Sequence, residues 1–205
     1  MKKLFSAIAM IALSSTGAMA ENWNGSYAGA AISYNNTDLT ITEPFFGSIS
    51  QDANRLSLTA FGGHNWQKGA FVYGVEGRLT SHGEREEMTS IPGPGAFESG
   101  MGTHGALLLR AGYDAGNYLP FVTFGVAAAR LNTYYPGGDV HRNGTIAGPM
   151  VGIGADAKLG KNLFLRGSVD ASFYNDKTFE YCGFGCILSH DTRNISASIG
   201  VGYKF

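Results

Sequence analysis

Three consecutive residues near the end of the chain, Ser189, His190 and Asp191, are of the types that form a nucleophilic triad. In such a triad the acid orients a base and the base activates the nucleophile, so the three side chains must converge on one point. Consecutive residues of a strand face opposite ways and cannot normally converge. We therefore interpret this tripeptide as the polar end of a loop, and we expect the chain not to be an enzyme.

The first 20 residues have the pattern of a secretory signal peptide. Lys2 and Lys3 precede an apolar run that ends near Leu13, and residues 18–20 are the small Ala-Met-Ala that a signal peptidase accepts. The apolar run is too short for a membrane-spanning helix. We expect residues 1–20 to be removed on export, which leaves a single domain over residues 21–205.

The two cysteines of the chain, Cys182 and Cys186, lie in one predicted loop. An exported protein meets an oxidising compartment, where a pair of nearby thiols is more readily bridged than left free. We expect a loop disulfide here. A zinc site would need two further ligands, and His190 is the only close candidate. The sequence therefore predicts no metal and no cofactor.

Composition limits the possible partners. Glycine contributes 30 of 205 residues, and charged residues are 15% of the chain, whereas soluble domains have about 25%. The formal net charge is −1, and loss of Lys2 and Lys3 would make it more negative. A mildly acidic chain has no basic surface for nucleic acid, so we expect no nucleic-acid partner.

Polarity alternates with a period of two along the chain, most clearly in its last strand. There Ile195, Ile199 and Tyr203 share an apolar face with their alternate neighbours, and small or polar residues occupy the other face. Similar segments predict eight strands, at 23–34, 55–66, 71–81, 104–114, 119–131, 145–158, 162–174 and 194–205.

Short and long connections alternate strictly between these strands. Three joints are tight, at residues 67–70, 115–118 and 159–161, and the four between them are long. An outer-membrane barrel has short periplasmic turns, long external loops and an apolar outer face. The sequence therefore predicts an all-β fold: an eight-stranded antiparallel up-and-down transmembrane β-barrel.

Charged residues within the strands lie mainly on the polar face. If that face is the lumen, acids and bases of neighbouring strands can pair, whereas a base facing lipid at midplane costs roughly 2–4 kcal/mol. Eight strands enclose a space that side chains can fill, so a closed ionic plug is favoured over a pore. The predicted lumen charges are Arg55, Glu76, Arg78, Arg110, Asp156, Lys158, Arg166, Asp170 and Lys204.

Several blocks resemble a known family. They include the segments at residues 23–29, 62–67, 71–77, 109–113 and 119–123. In order and spacing the set resembles the small porin-like outer-membrane barrels of alphaproteobacteria, relatives of the OmpA-type and opacity-like barrels. In addition, Ser198, Gly200, Tyr203 and Phe205 resemble the signal that the barrel assembly machinery recognises in its clients.

This resemblance implies an outer-membrane protein of the Gram-negative cell envelope. It implies association with outer-membrane lipid and lipopolysaccharide, a contribution to envelope integrity, and external loops that contact host surface molecules or other ligands. Three alternatives stay open at this point: a small porin, an outer-membrane enzyme that modifies lipid A, and a soluble lipocalin-like barrel whose apolar residues would line the cavity.

Overall fold

The computed structural model describes residues 23–43, 47–81, 89–90, 98–135, 140–182 and 186–205. The predicted signal peptide therefore lies outside the described residues. The strands are β1 (Gly25–Glu43), β2 (Gly47–Lys68), β3 (Phe71–Ser81), β4 (Thr89–Ser90), β5 (Glu98–Tyr113), β6 (Tyr118–Tyr135), β7 (Val140–Lys158), β8 (Leu163–Cys182) and β9 (Cys186–Lys204).

The strands close into a barrel in which sequence neighbours are also neighbours in space. Each long strand pairs antiparallel with the next, β9 returns to β1, and β3 pairs with β5. The two-residue β4 only adds a short pairing to β5. Eight long strands thus form the wall, and closure leaves no open edge in the part of the described wall where every strand is paired on both sides. The predicted fold class is confirmed.

The two faces of the wall have inverted polarity compared with a soluble protein. Leu56 and Leu107 are 72% and 71% exposed on the outside, whereas Glu76 and Arg166 are 2% exposed on the inside. Alternation along each strand produces this separation: in β3, exposed and buried residues alternate from Phe71 to Glu76. A wall with apolar residues outward and charged residues inward is suited to a lipid bilayer. This arrangement contradicts the lipocalin-like alternative, in which apolar residues would line the cavity.

One end of the barrel, here called the turn end, carries the tight connections and both chain ends of the described region. Its turns lie between β2 and β3, β5 and β6, and β7 and β8. Gly69 and Gly116 occupy these turns with φ of +61° and +78°, a backbone region that glycine adopts without steric cost. The opposite end is called the loop end.

At the loop end the strands are longer than the sequence predicted. β1 and β2 pair from Glu43↔Gly47 downward, and β6 and β7 from Tyr135↔Val140, so segments predicted as loops are largely hairpins. Backbone pairing needs no apolar face. Outside a membrane both sides of a hairpin can be polar, so the period-two signal disappears where the strand continues. Within the described residues, no helix is long and apolar enough to cross a membrane.

Candidate functional site

Six charged side chains meet inside the barrel, in its turn-end half. They are the predicted lumen residues Glu76, Arg78, Arg110, Asp156, Arg166 and Asp170, here called the ionic cluster. β3 carries the first two, β5 and β7 one each, and β8 the last two. Three guanidinium groups face three carboxylates, so the formal charge of the cluster is balanced.

Arg166 is the centre of the ionic cluster. Its Nε and Nη2 donate to the two carboxylate oxygens of Asp156 over 2.7 and 2.9 Å, and its Nη1 donates to Glu76 Oε2 over 2.6 Å. Such a forked pair fixes both direction and distance. Arg166 is thus held by two acids from different strands.

The other two arginines complete the pairing. Arg78 donates to Glu76 over 2.6 Å and to Asp170 over 2.7 Å, while Arg110 donates to Asp156 and lies 3.6 Å from Glu76. Buried charges are tolerated when they are paired and hydrogen-bonded. Every charged group of the cluster has at least one such partner.

The ionic cluster crosses the whole lumen. β3 and β8 are separated by four strand-to-strand steps in either direction around the eight-stranded wall, so they lie opposite each other. The Arg166–Glu76 and Arg78–Asp170 pairs each join these two strands. Side chains therefore bridge the full width of the barrel, and the bridge is buried.

Aromatic rings surround the guanidinium groups. The Arg110 guanidinium carbon lies 3.8 Å from the Phe121 ring centroid, and that of Arg166 lies 4.2 Å from the Phe61 centroid. Ring faces attract cations, an effect that grows when water is excluded. Tyr27 contacts both the ionic cluster and the aromatic rings: its hydroxyl donates to Glu76 over 2.6 Å, and its ring packs against Phe164.

An apolar layer closes the turn end below the ionic cluster. Trp23, Tyr27, Phe61, Val72, Leu119 and Phe164 form one buried cluster. The Trp23 indole donates to Asp114 over 3.2 Å, and the Gln67 amide donates to the same carboxylate over 2.7 Å. Trp23, which precedes β1, thus forms a floor under the lumen.

Inward-facing glycines make room for these large groups. A Cβ on Gly202 would lie 2.1 Å from the Phe164 ring, and one on Gly152 would lie 1.9 Å from Asp170 Oδ1. No real Cβ tolerates such contacts, so the inner wall must lack side chains there. This steric requirement accounts for part of the high glycine content.

The loop-end half of the lumen has a different composition. Its wall on β1, β2 and β3 carries neutral polar side chains. Thr59 hydrogen-bonds to Ser33 over 2.7 Å and to Thr80 over 2.9 Å, and Asn35 donates to Ser57. The facing wall is mainly apolar, with Ala106, Leu108, Ala127, Ala129, Ile146, Met150 and Tyr174. These residues are buried, so packing continues above the ionic cluster.

Three of the nine predicted lumen charges lie outside the ionic cluster. Lys158 lies at the turn end, with its ammonium 5.1 Å from the Trp23 ring centroid. Lys204 also lies near the turn end, and Arg55 lies on β2 towards the loop end. All three side chains are partly exposed. The ionic cluster thus contains six of the nine predicted lumen charges.

The remaining predicted sites lie at the two ends of β9. Tyr203 and Phe205 are exposed at the turn end with ring centroids 5.3 Å apart, Gly200 is buried, and Ser198 bonds Ser168 over 2.8 Å. At the loop end, Cys182 and Cys186 are register partners. Their side chains, and those of Ser189, His190 and Asp191, lie outside the described part. The disulfide stays a prediction.

Sequence reasoning missed two features on β1. Small residues obscured its faces, so Tyr27 was not recognised as a lumen residue, although Ser33 and Asn35 continue the same alternate set. The bond between Ser26 Oγ and His64 Nδ1, 2.9 Å long, was also missed because its partners come from different strands. Among the described residues, no group of three His, Cys, Asp or Glu side chains could hold a metal ion.

Comparison with known proteins identifies relatives of the whole barrel. The family model of the outer membrane protein beta-barrel domain matches residues 5–205. The 25 kDa outer-membrane immunogenic protein of Brucella canis is 32% identical over 187 residues, which cover 90% of this chain and 80% of that protein. The 22 kDa outer membrane protein of Rhizobium leguminosarum bv. viciae is 28% identical, covering 91% and 80%.

A solved structure shares the fold at much lower sequence identity. The outer membrane protein OprG from Pseudomonas aeruginosa superposes with a TM-score of 0.55 at 12% identity, covering 91% of this chain and 99% of that one. At this identity the likeness concerns the architecture alone.

Proposed function

This chain belongs to the family of outer membrane protein beta-barrel domains and lies in the outer membrane, and from that premise we propose that it is a structural barrel with a closed lumen. Its role is to contribute to the integrity of the envelope and to present surface hairpins, with little or no passage of solutes. The barrel contacts outer-membrane lipid and lipopolysaccharide through its apolar outer face.

The observation that carries this proposal is the pair of buried ionic bridges across the lumen. A conducting pore needs a continuous water-filled path, as in barrels with many more strands. Here Arg166 and Glu76 meet over 2.6 Å between opposite walls, above a floor that includes the fully buried Leu119. A hydrated ion would have to displace several charge-assisted hydrogen bonds to pass.

The external role rests on the hairpins of the loop end. β1 and β2, and likewise β6 and β7, remain paired well beyond the apolar band. Backbone-paired hairpins present a more ordered surface than unpaired loops of equal length. Contact of these hairpins with host surface molecules, and delivery of the C-terminal strand to the barrel assembly machinery, belong to the same proposal.

A deletion strain separates a structural role from a transport role. We expect loss of the gene to increase sensitivity to bile salts, whereas entry of a small hydrophilic β-lactam, measured as hydrolysis by intact cells, stays unchanged. Re-expression of the wild-type chain should restore resistance. Slower β-lactam entry with unchanged bile-salt resistance would favour the porin alternative.

Lipid A analysis tests the enzyme alternative in the same strains. A barrel without catalytic residues leaves lipid A unchanged, so wild-type and deletion strains should give identical mass spectra. Acyl-chain differences that depend on the gene would contradict the structural assignment.

A further inference from the structure

The outer surface near the turn end carries a band of exposed aromatic residues. Trp66, Phe71, Tyr73, Tyr113, Tyr203 and Phe205 all face outward there. In outer-membrane barrels such bands mark the depth of the lipid headgroups, and the short-turn end faces the periplasm. Between β1 and β2 the band is interrupted by a polar pair, Ser26 and His64.

Ser26 and His64 are register partners on the outer face. Their chain neighbours Tyr27 and Asn65 are buried in the lumen, so alternation directs Ser26 and His64 outward. The Ser26 hydroxyl lies 2.9 Å from His64 Nδ1. The His64 ring lies 4.7 Å from the Trp66 ring, which in turn stacks on Tyr73 at 5.9 Å.

The bond to Ser26 engages Nδ1 of His64 and leaves Nε2 outside that bond. When the neutral ring accepts from Ser26 at Nδ1, the proton resides on Nε2; when the ring is protonated, both nitrogens carry hydrogen. In these two states Nε2 is a donor; it is an acceptor when the neutral ring instead donates from Nδ1 to the Ser26 oxygen. With hydrogen on Nε2, His64 offers an N–H donor at headgroup depth, where phosphate oxygens are available as acceptors.

A positive charge lies on the same face of the same strand. Lys68 is exposed and follows Trp66 by two residues on β2, on the side away from the membrane centre. Lysine near a membrane boundary extends its ammonium group towards the headgroups while its methylenes cover apolar surface. Trp66, which lies between His64 and Lys68 in sequence on the same face of β2, carries a further donor in its indole N–H.

We propose that His64 and Lys68, supported by Ser26 and Trp66, bind the phosphate of a glycerophospholipid in the periplasmic leaflet. His64 Nε2 donates to a phosphate oxygen, Lys68 supplies charge, and Trp66 with Tyr73 packs along the glycerol and the first methylenes. Ser26 is a positioning residue that holds the imidazole. This site is on the outer surface, so it does not depend on a closed lumen.

Nuclear magnetic resonance of the refolded protein in an uncharged detergent tests the site. The His64 ring and Trp66 indole signals are followed during titration with dihexanoylphosphatidylglycerol. We expect saturable shifts with this phospholipid and none that saturate with dihexanoylglycerol or inorganic phosphate at equal concentration. Equal shifts with dihexanoylglycerol indicate apolar association only, and equal shifts with inorganic phosphate indicate a free-anion site; either result overturns the proposal.

Variants sharpen the assignment. His64→Ala loses the proposed hydrogen bond to the charged phosphate, so it should bind the phospholipid about tenfold more weakly. The Trp66 indole signal measures this affinity. His64→Gln, which keeps an N–H donor, should retain part of the affinity, and Ser26→Ala should lose part of it. Leu163→Ala, at the turn end of β8, is the matched control and should bind normally. Wild-type affinity in both His64 variants would overturn the proposal.

Discussion

The two halves of the lumen are filled by side chains of different chemical types. The turn-end half contains three guanidinium groups and three carboxylates enclosed by aromatic rings. The loop-end half contains neutral hydroxyl and amide groups on one wall and mainly small or apolar side chains on the other. Both halves are packed, but the network of buried ion pairs lies in the first.

This difference has energetic consequences. A buried charge that loses its partner keeps its whole desolvation cost, whereas a buried hydroxyl that loses one partner keeps a much smaller one. The ionic cluster is also cooperative, because Glu76 contacts all three arginines and Asp156 contacts two of them. Substitutions in the turn-end half should therefore cost more than substitutions in the loop-end half.

Removal of Arg166 should produce the largest effect. Arg166→Met keeps much of the volume but leaves Glu76 and Asp156 short of a cation, for which the expected loss is about 3–5 kcal/mol in the free energy of unfolding. Urea titration of the protein folded in lipid vesicles measures this loss.

A surface arginine provides the control for this substitution. Arg130 is exposed on β6. Arg130→Met should change the free energy of unfolding by about 0.5 kcal/mol or less. Similar losses in the two variants would show that the ionic cluster has no special cost.

A methyl group added against the apolar floor should have an intermediate effect on the free energy of unfolding. Gly202→Ala places a Cβ 2.1 Å from the Phe164 ring, which is itself packed against Trp23 and Tyr27. Overpacking of this kind costs about 1–3 kcal/mol. Gly167→Ala is the matched control because nothing lies within 4 Å of its Cβ position. Gly202 faces the lumen on β9, whereas Gly167 faces outward on β8. Equal stability of the two variants in the same urea assay would contradict the packed floor.

Removal of one hydroxyl in the loop-end half should have the smallest effect. Thr59→Val loses the bonds to Ser33 and Thr80, which we expect to cost about 1 kcal/mol. Ala60→Val, on the outer face of the same strand, is the control and should have a stability close to wild type. A loss as large as that in Arg166→Met would remove the distinction between the two halves.

The wall of the barrel was predictable from sequence because apolar and polar residues alternate along most of its strands. Alternation in β3 and β9 separates Leu79 from Arg78 and Ile199 from Ser198 without knowledge of any contact. Tight turns and strict alternation of connection length then define the strand order. The loop-end extensions were not predictable, because a hairpin in water needs no apolar face to keep its backbone pairs.

The pairing inside the lumen could be predicted only in part. Sequence alternation identified Glu76 and Arg166 as inward residues, but their contact depends on closure, which brings β3 opposite β8. Alternation places Phe164 on the polar face together with Arg166, but its contact with Gly202 is not visible in the sequence, and the small residues of the first strand conceal Tyr27. The Ser26–His64 bond required the β1–β2 register, which no local pattern supplies.

The most direct test of a sealed lumen is single-channel recording. Purified protein, refolded and inserted into planar bilayers in 1 M KCl, should give no stable unitary current, because the ionic cluster and the floor below it fill the barrel. Regular current steps from the folded wild-type protein, with an ion selectivity that changes in Arg78→Ala, would contradict the account.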